Sequence, residues 1–437
     1  MAYFPPVSHS LGNYTIVSSV LSIWRHEGFD SAKSLFHKFT RDTSFNHTTP
    51  LLNELHLRFS GKPSPRILID GLWFSRPIGG ISRVWEHILS AWRLPGLIYD
   101  SAPVCLIERD SHLAVSSYFP AIQGSLIDPL DPVAVLSLAN ENFEFARSWE
   151  ANVFISSWLS FCGSPSLFCP EVALVHDCLP ERYSVLEPLF SLRRTWLKRA
   201  SSYLAVSADT ASDIETLLRL ANGSVPWCHL APYISYPPLY NAPLSLQSMG
   251  SLTSELDLPF PYIFLPSISA VGSYKNPELV ASALTHPGLE SINLLLSGIS
   301  SEQRRLELVE LYPQLAGRCF SAGFTDFELP FVYQHSFAVV VPSHIEGYGL
   351  PVVEALACGA VVLISDSRGL REAGANACLR FSSRNVSQLV DLLCFLLCPD
   401  SDWIKSILAI RAKQRISVLN PDMFGLALLS IARLVSL

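Results

Sequence analysis

The stretch PSHIEGYGLPVVE, residues 342–354, decides the fold that we expect for this chain. The run before it, FAVVVPS at 337–343, has the composition of a strand buried in a parallel sheet. A helix is predicted to begin at residues 350–351, because proline in the first helical position gives up no hydrogen bond. Gly347 and Gly349 allow a tight turn and a close approach of the backbone to a ligand. The stretch therefore predicts a strand, a glycine turn and a helix whose N-terminus points at a ligand site.

Similar apolar runs, most of them followed by a helical pattern, recur along the chain. They are RILIDG (66–71), VALVHD (172–177), SYLAVSA (202–208), YIFLPS (262–267), INLLLSG (292–298) and AVVLISD (360–366). Strands that alternate with helices predict parallel, doubly wound sheets. Because 437 residues are too many for one ordinary core, we expect two Rossmann-like α/β units in tandem.

The boundaries of these units follow from composition. Residues 1–64 hold two weak helical patterns and are assigned as an N-terminal extension of unknown role. Residues 65–240 are predicted as the first Rossmann-like domain and 241–254 as a linker, because 221–254 contain no Asp, Glu, Lys or Arg. Residues 255–437 are predicted as the second domain with terminal helices, the last of which can cross back onto the first domain.

Composition excludes several classes of protein. A hydrophobic fraction of 49% and a charged fraction of 16% indicate a well-buried globular chain. A net charge of -7 favours no nucleic-acid partner. The ten cysteines include no CxxC pair, so neither a metal site nor a disulfide framework is expected. With no signal-peptide pattern and no uncharged apolar stretch of bilayer length, we expect a cytoplasmic protein.

Two carboxylates flank the glycine turn, Glu346 in the loop and Glu354 in the first part of the helix. Carboxylates accept hydrogen bonds from hydroxyl groups, which a sugar or a ribose supplies. Alternatively, Glu354 complements the helix dipole and Glu346 is simply solvated. Taken singly, the residues do not decide between these interpretations.

The wider pattern, PSxxEGxGLPxxEAxACG, resembles the donor-binding signature of the retaining GT-B glycosyltransferases of glycosyltransferase family 4, the group 1 glycosyl transferases. The flanking stretches GFTDFELPFVYQHS (323–336) and SRGLREAGANACL (367–379) are also similar to that family. The resemblance implies a GT-B fold, with two Rossmann-like domains facing across a cleft. It also implies that Glu354 holds the nucleotide ribose of a nucleotide-sugar donor. The transferred sugar is then contacted by Glu346 and by the backbone amides of Gly347, Tyr348, Gly349 and Leu350.

Lys275, in SYKNPEL, matches the family's lysine before a helix. The resemblance implies that its charge and the helix N-terminus neutralise the donor diphosphate. Two positions depart from the family pattern: Pro266 replaces a strand-end glycine, and Tyr274 stands where many members have a second basic residue. Either a cation from another loop contributes, or one phosphate contact is lost.

Two segments of the first domain support the same resemblance. SRPIGGISR (75–83) is similar to the family's glycine turn, which places Gly79 and Gly80 near the donor phosphates and the acceptor. VALVHDCLPERY (172–183) resembles the family's HD motif, in which the histidine, here His176, approaches the donor sugar. The alternatives are an ordinary strand-to-helix turn and a histidine with a purely structural hydrogen bond.

The resemblance implies a retaining transfer of a hexose, with GDP-mannose as a first guess, to a saccharide or lipid-linked saccharide acceptor. Polysaccharide and cell-envelope glycan synthesis is the implied setting. His176, Glu346 and Lys275 are the candidate catalytic residues, and no metal or other cofactor is expected. The departing phosphate oxygen is expected to help deprotonate the acceptor hydroxyl.

Other interpretations remain open. A nicotinamide-dependent oxidoreductase is suggested by GYGLPV and Asp366, but the third glycine is absent and Glu346 would repel a pyrophosphate. A nucleotide-sugar epimerase or an inactive GT-B-like binding subunit would keep the fold without transfer.

A basic stretch with a tryptophan, LRRTWLKRA at 192–200, is a candidate for peripheral contact with the inner face of a membrane. Its alternative is a solvated helix face whose long side chains pack through their carbon stems.

Overall fold

The computed structural model describes residues 11–40, 49–98, 103–164, 167–183, 187–222, 228–230, 240, 256 and 258–436. The chain divides into two compact units. Unit 1 comprises Met1–Ile234 together with Leu419–Leu437, and unit 2 comprises Ser235–Val418. The predicted linker, 241–254, lies outside the described residues.

Unit 1 is built on a parallel sheet. Its strands are β1 (Ile67–Asp70), β2 (Val104–Glu108), β3 (Ala121–Gln123), β4 (Val153–Ser156), β5 (Gly163–Ser164), β6 (Leu167–Phe168), β7 (Glu171–Val175), β8 (Ser202–Ala205) and β9 (Cys228–Leu230). Within the described residues, seven of these strands form one sheet in the order β3-β2-β1-β4-β7-β8-β9, while β5 and β6 form an antiparallel hairpin. Every neighbouring pair in the large sheet is parallel.

The sheet is accompanied by the helices of unit 1. They are α1 (Leu11–Glu27), α2 (Phe29–Thr40), α3 (Pro50–Phe59), α4 (Gly80–Trp92), α5 (Pro132–Ser148), α6 (Leu179–Tyr183), α7 (Glu187–Arg199) and α8 (Ala208–Asn222). All four residues of β1, ILID, are buried, as expected for a parallel strand that is covered on both faces.

Unit 2 repeats the plan. Its strands are β10 (Tyr262–Leu265), β11 (Asn293–Leu296), β12 (Cys319–Ser321), β13 (Ala338–Val341), β14 (Val362–Ser365) and β15 (Leu379–Phe381). They form a parallel sheet in the order β12-β11-β10-β13-β14-β15. The helices are α9 (Pro277–Ala283), α10 (Ser301–Leu311), α11 (Leu329–His335), α12 (Leu350–Ala357), α13 (Arg368–Gly374), α14 (Val386–Leu397) and α15 (Asp402–Ser417). The apolar runs predicted as strands are confirmed.

The last helix, α16 (Pro421–Val435), belongs to unit 1 and packs against α4, α3 and α1. Gly425 allows the close approach, because a Cβ atom there would lie 2.7 Å from the Cβ of Ala91. The predicted second domain, 255–437, is therefore wrong for residues 419–437. The prediction that a terminal helix packs back onto the first domain is confirmed for this segment, whose apolar residues are buried against the helices of unit 1.

Within the N-terminal extension, helices α1 and α3 supply part of that partner face. The guanidinium of Arg433 donates to both carboxylate oxygens of Glu54 at 2.7 and 2.9 Å. Arg25 donates to Asp422 at 2.8 Å. The side-chain amide of Asn420 donates to the backbone oxygen of Ser18 at 3.1 Å. The N-terminal helices thus hold the C-terminal helix in unit 1.

The helical segment Pro399–Val435 is long and apolar enough to span a membrane by length and composition. The expectation concerned an uncharged apolar stretch of that length, whereas this segment contains charged residues such as Asp402, Lys405 and Arg415. Its most apolar window is 72% buried inside the protein, which is the environment of a core helix.

Candidate functional site

The predicted glycine turn lies between β13 and α12. Gly349 immediately precedes α12 with φ 123° and ψ 60°, a conformation that side chains with a Cβ atom rarely adopt. A Cβ atom there would also lie 2.7 Å from Cδ2 of Leu370. Glycine is therefore required at this position for its conformation and for space.

A third glycine, Gly369 on α13, supports the turn from the side. A Cβ atom at Gly369 would lie 2.4 Å from the backbone oxygen of Glu346. The backbone of residues 346–347 consequently rests directly on α13. The sequence stretch SRGL contains this glycine, but the pattern alone did not show that another loop packs on it.

Lys275 and Glu346 meet at one edge of unit 2. Lys275 follows β10 and Glu346 follows β13, and these neighbouring parallel strands end at the same edge. Nζ of Lys275 donates to Oε1 of Glu346 at 2.7 Å, and Oγ of Ser343 donates to the same oxygen at 2.8 Å. The side chains are 19% and 13% exposed. Two residues predicted to contact different parts of a ligand thus form one ion pair.

The loop that carries Lys275 is held in place by its neighbours. Asn276 is buried and in the left-handed conformation, with φ 54°. Its amide donates to the backbone oxygens of Pro342 at 3.2 Å and Ser383 at 2.8 Å. The lysine therefore has a fixed position relative to the glycine turn.

Tyr274 and Pro266 occupy the positions that depart from the family pattern. The backbone oxygen of Tyr274 accepts a hydrogen bond from the backbone N–H of His344 at 2.7 Å. Nζ of Lys275 lies 5.4 Å from the centre of the Tyr274 ring, a distance that allows a cation–π interaction. Pro266 lines a small recess together with Lys275 and Ser343. Tyr274 thus places a neutral ring beside the lysine.

Glu354 is a buried carboxylate, 8% exposed. The hydroxyl of Tyr333 on α11 donates to its Oε2 at 3.0 Å. Burial and the charge of Glu354 raise the pKa of Tyr333 well above its usual 10, so the phenol keeps its proton. Tyr333 was not singled out in the sequence, where it is one tyrosine within FVYQHS.

Tyr348 points into the protein and is 4% exposed. Its hydroxyl accepts a hydrogen bond from Nη2 of Arg415 at 3.2 Å. Arg415, on α15, also donates to the backbone oxygens of Glu372 and Ala373 at 2.9 Å each. The predicted contact of Tyr348 with a ligand is therefore available to its backbone and not to its phenol group. Arg415 lies too far along the chain to be found by the motif.

In unit 1, Gly79 immediately precedes α4 and Gly80 begins it. A Cβ atom at Gly79 would meet only the backbone oxygen of Pro77, at 3.9 Å. Packing within the unit thus leaves room for a side chain. Ser82, in the first turn of α4, is buried, and its Oγ has no hydrogen-bond partner among the described residues.

His176 follows β7 directly. One ring nitrogen is hydrogen-bonded to the backbone of Ser157. Its Nε2 is buried and has no partner within the part of the chain that the structure describes. Burial is the main cause that lowers the pKa of His176 to about 3, and Arg193 adds to it. His176 is therefore neutral near pH 7 and suited to a hydrogen bond with a ligand, but poorly suited to donate a proton.

Arg193 has a different role from the one predicted. It is 2% exposed and donates to Oε1 of Glu181 and to the backbone oxygen of Asp177, each at 2.7 Å. It anchors the turn that follows His176. Trp196 is also buried, at 1% exposure, whereas Arg194 and Lys198 are exposed. The interpretation of 192–200 as a basic, tryptophan-bearing membrane surface is thus wrong for Arg193 and Trp196, which pack inward.

The described residues contain no group of three or more His, Cys, Asp and Glu side chains that could hold a metal ion.

Residues 255–397 match the family model described as "Glycosyl transferases group 1". A D-inositol 3-phosphate glycosyltransferase of Xylanimonas cellulosilytica is 29% identical over 182 residues, which cover 38% of this chain and 42% of that protein. The chain thus matches less than half the length of this curated relative.

Solved structures are similar over most of both chains. Anabaena HepE in complex with UDP-glucose has a TM-score of 0.62 at 16% identity, covering 85% of this chain and 99% of HepE. WaaG, a glycosyltransferase involved in lipopolysaccharide biosynthesis, has a TM-score of 0.63 at 15% identity, covering 84% and 99%. Sucrose-phosphate synthase from Thermosynechococcus elongatus has a TM-score of 0.60 at 19% identity, covering 84% of this chain and 96% of that protein. The chain has the two-domain, Rossmann-like GT-B fold.

Proposed function

We propose that this protein is a glycosyltransferase that moves a sugar from a nucleoside-diphosphate sugar to a hydroxyl group of an acceptor. The observation that carries the proposal is the set of groups at one edge of the unit 2 sheet. A cation, a glycine turn that opens a helix, and two carboxylates are held there by buried contacts. The match of residues 255–397 to the group 1 family supports the same function.

Each group suits one part of such a donor. The carboxylate of Glu354 can accept hydrogen bonds from the ribose hydroxyls. Lys275 and the N-terminus of α12 can neutralise the diphosphate. Glu346 and the backbone N–H groups from Gly347 to Leu350 can hold hydroxyls of the transferred sugar.

The ion pair between Lys275 and Glu346 links the last two roles. A phosphate that binds Lys275 adds a second anion to the same ammonium, which has three N–H donors. Glu346 can stay bonded to the lysine while it accepts from a sugar hydroxyl. The donor's phosphate and its sugar would then be positioned by one connected network.

We further propose family 4 membership and a retaining transfer. The bond from the anomeric carbon to the phosphate oxygen breaks, and a bond to the acceptor oxygen forms on the same face. The acceptor proton passes to the departing phosphate oxygen. The low pKa of His176, about 3, supports a hydrogen-bonding role for this residue on the sugar and leaves the proton transfer to the phosphate.

The donor and acceptor classes follow from the resemblance and from the neighbours. A hexose donor is proposed, with GDP-mannose from the sequence pattern and UDP-glucose, the ligand of HepE, as the first two to test. A saccharide or lipid-linked saccharide is the proposed acceptor, in polysaccharide or cell-envelope glycan synthesis, on the cytoplasmic side. No metal requirement is proposed.

The proposal is tested with a panel of UDP-, GDP-, ADP- and dTDP-sugars, by thermal stabilisation and by slow donor hydrolysis without acceptor. Hydrolysis of at least one donor, with retention of anomeric configuration on transfer, is expected. Binding of a nucleotide without any turnover would instead indicate a GT-B-like binding subunit, in keeping with the neutral Tyr274 beside Lys275. Failure of the whole panel to bind would overturn the proposal.

A further inference from the structure

The function proposed above assigns no role to the hydrogen bond between Tyr333 and Glu354. Tyr333 lies on α11 and Glu354 on α12, and their side chains meet in the interior of unit 2, 1% and 8% exposed. The phenol hydroxyl donates to Oε2 of the carboxylate at 3.0 Å. A buried carboxylate is costly unless donors surround it, so this hydrogen bond helps to make the buried charge possible.

Tyr333 itself has little freedom to move. Its ring meets that of Phe264 edge to face, with centres 5.3 Å apart. The centre of the Tyr240 ring lies 6.0 Å from that of Tyr333. Because these rings hold the phenol in place, its hydrogen bond also fixes the orientation of the Glu354 carboxylate.

We propose that Tyr333 is a positioning residue that orients the Glu354 carboxylate for a ribose with both hydroxyl groups, and that it thereby sets the preference of the site for ribonucleotides. The inference rests on the proposed function, in which Glu354 receives the ribose. A glutamate side chain has three rotatable bonds, and ordering it on binding would cost affinity. Tyr333 orders it beforehand.

The chain offers a matched control for this role. Tyr262, on β10, is equally buried, and its hydroxyl donates to the backbone oxygen of Val332 at 2.8 Å. A phenylalanine at either position removes one buried hydroxyl from the same core. Only the change at Tyr333 removes a donor from Glu354.

The experiment compares Tyr333→Phe and Tyr262→Phe with the unaltered protein by calorimetric titration. The probes are UDP and GDP, each with its 2′-deoxy form. We expect Tyr333→Phe to weaken binding of the preferred ribonucleotide about tenfold, the effect of losing one hydrogen bond of ordinary strength to a charged group. Its effect on the 2′-deoxy form should be under about threefold, because one of the two ribose hydroxyls is already missing.

A purely structural role predicts a different result. Both phenylalanine variants would then lose similar thermal stability, and Tyr333→Phe would affect ribo- and deoxyribonucleotides equally. Equal effects on the two sugars overturn the inference, as does an effect of Tyr262→Phe as large as that of Tyr333→Phe.

A double variant tests whether the effect of Tyr333→Phe on nucleotide binding depends on the Glu354 carboxylate. In a Glu354→Gln background, Tyr333→Phe should cost less than half of its effect on ribonucleotide binding in the unaltered protein. In turnover assays, Tyr333→Phe should raise the KM for the donor and leave kcat within about threefold. If the unaltered protein binds UDP or GDP and Tyr333→Phe binds it equally well, the inference fails and the proposed function stands. If the unaltered protein binds no member of the UDP-, GDP-, ADP- and dTDP-sugar panel, both fail.

Discussion

Nζ of Lys275 lies 2.7 Å from Oε1 of Glu346, although the two residues are 71 positions apart in the chain. The pair forms because β10 and β13 are neighbours in a parallel sheet, so the loops that follow them begin at the same edge. A ligand that approaches this edge meets a cation and an anion that already share a hydrogen bond.

Replacement of Lys275 by alanine should lower turnover about 100-fold or more, because a preorganised cation at a departing phosphate is worth several kcal/mol. The change in melting temperature should stay within about 3 °C, since a partly exposed ion pair contributes little to stability. Initial rates and thermal unfolding of Lys275→Ala are compared with those of Lys198→Ala, whose exposed charge lies on unit 1. An unchanged rate for Lys275→Ala would remove this residue from the site.

An alanine at Gly349 should destabilise the protein by about 1–3 kcal/mol, the usual cost of forcing such a backbone conformation, and should abolish nucleotide binding. Its Cβ atom would also press on Leu370. Gly359 provides the control, because it too has a positive φ, 77°, but open space around a Cβ atom. Urea unfolding and UDP or GDP titration test both variants. Gly349→Ala that binds nucleotide normally would contradict the assigned role of the turn.

An alanine at Gly79 is expected to leave unfolding unchanged within about 0.5 kcal/mol, because only one atom comes within 4 Å of the added carbon. Turnover should fall, since the added methyl group would occupy the space that the donor or acceptor needs. Gly124→Ala is the opposite case, in which the Cβ atom would lie 2.5 Å from the side chain of Ile107 and should destabilise unit 1. Full activity of Gly79→Ala would favour an ordinary strand-to-helix turn.

Acid should destabilise unit 1 through two histidines, His87 and His176. Burial lowers the pKa of His176 to about 3 and that of His87 to about 4, whereas the ordinary pKa of a histidine is 6.5. The unfolded chain therefore binds more protons below pH 6.5, and stability falls as the pH drops from 6.5 towards the folded values. At pH 5 each histidine should cost up to about 2 kcal/mol relative to pH 7. Urea unfolding at pH 5 and pH 7 measures this loss, and His87→Gln should reduce it. An equal loss in His87→Gln and the unaltered protein would contradict the assignment.

Replacement of Arg433 by methionine should destabilise the protein by about 1–3 kcal/mol, because the buried carboxylate of Glu54 loses two hydrogen bonds from a charged donor and keeps its ion pair with Arg58. Glu54 is 1% exposed. The matched control is Lys405→Met, which breaks an exposed pair with Asp402 in unit 2 and should cost under about 1 kcal/mol. Thermal and urea unfolding measure both. If Arg433→Met is as stable as the unaltered protein, the contact between Arg433 on α16 and Glu54 on α3 contributes nothing to stability.

Much of the candidate site was predictable because its signals are local. The apolar run, the two glycines and the proline of residues 337–351 predict a strand, a turn and a helix start from neighbouring residues alone. The buried position of Tyr348 and the inward direction of Arg193 were not predictable in this way. A basic or aromatic residue in a helical pattern carries no sign of which face it occupies until the neighbouring elements are known.

The sequence by itself determined where seven of the strands run and where the glycine turn lies, and its resemblance to a known family predicts that Lys275, Glu346 and Glu354 carry the chemistry of the site. The strands and the turn follow from periodicity and from the placement of glycine and proline, which act over a few residues. Only the tertiary structure decided that Lys275 pairs with Glu346, that Tyr333 holds Glu354, and that α16 returns to unit 1. Each of these contacts joins segments that are far apart in the chain, so it depends on sheet order and on the burial of apolar faces, which local patterns do not specify.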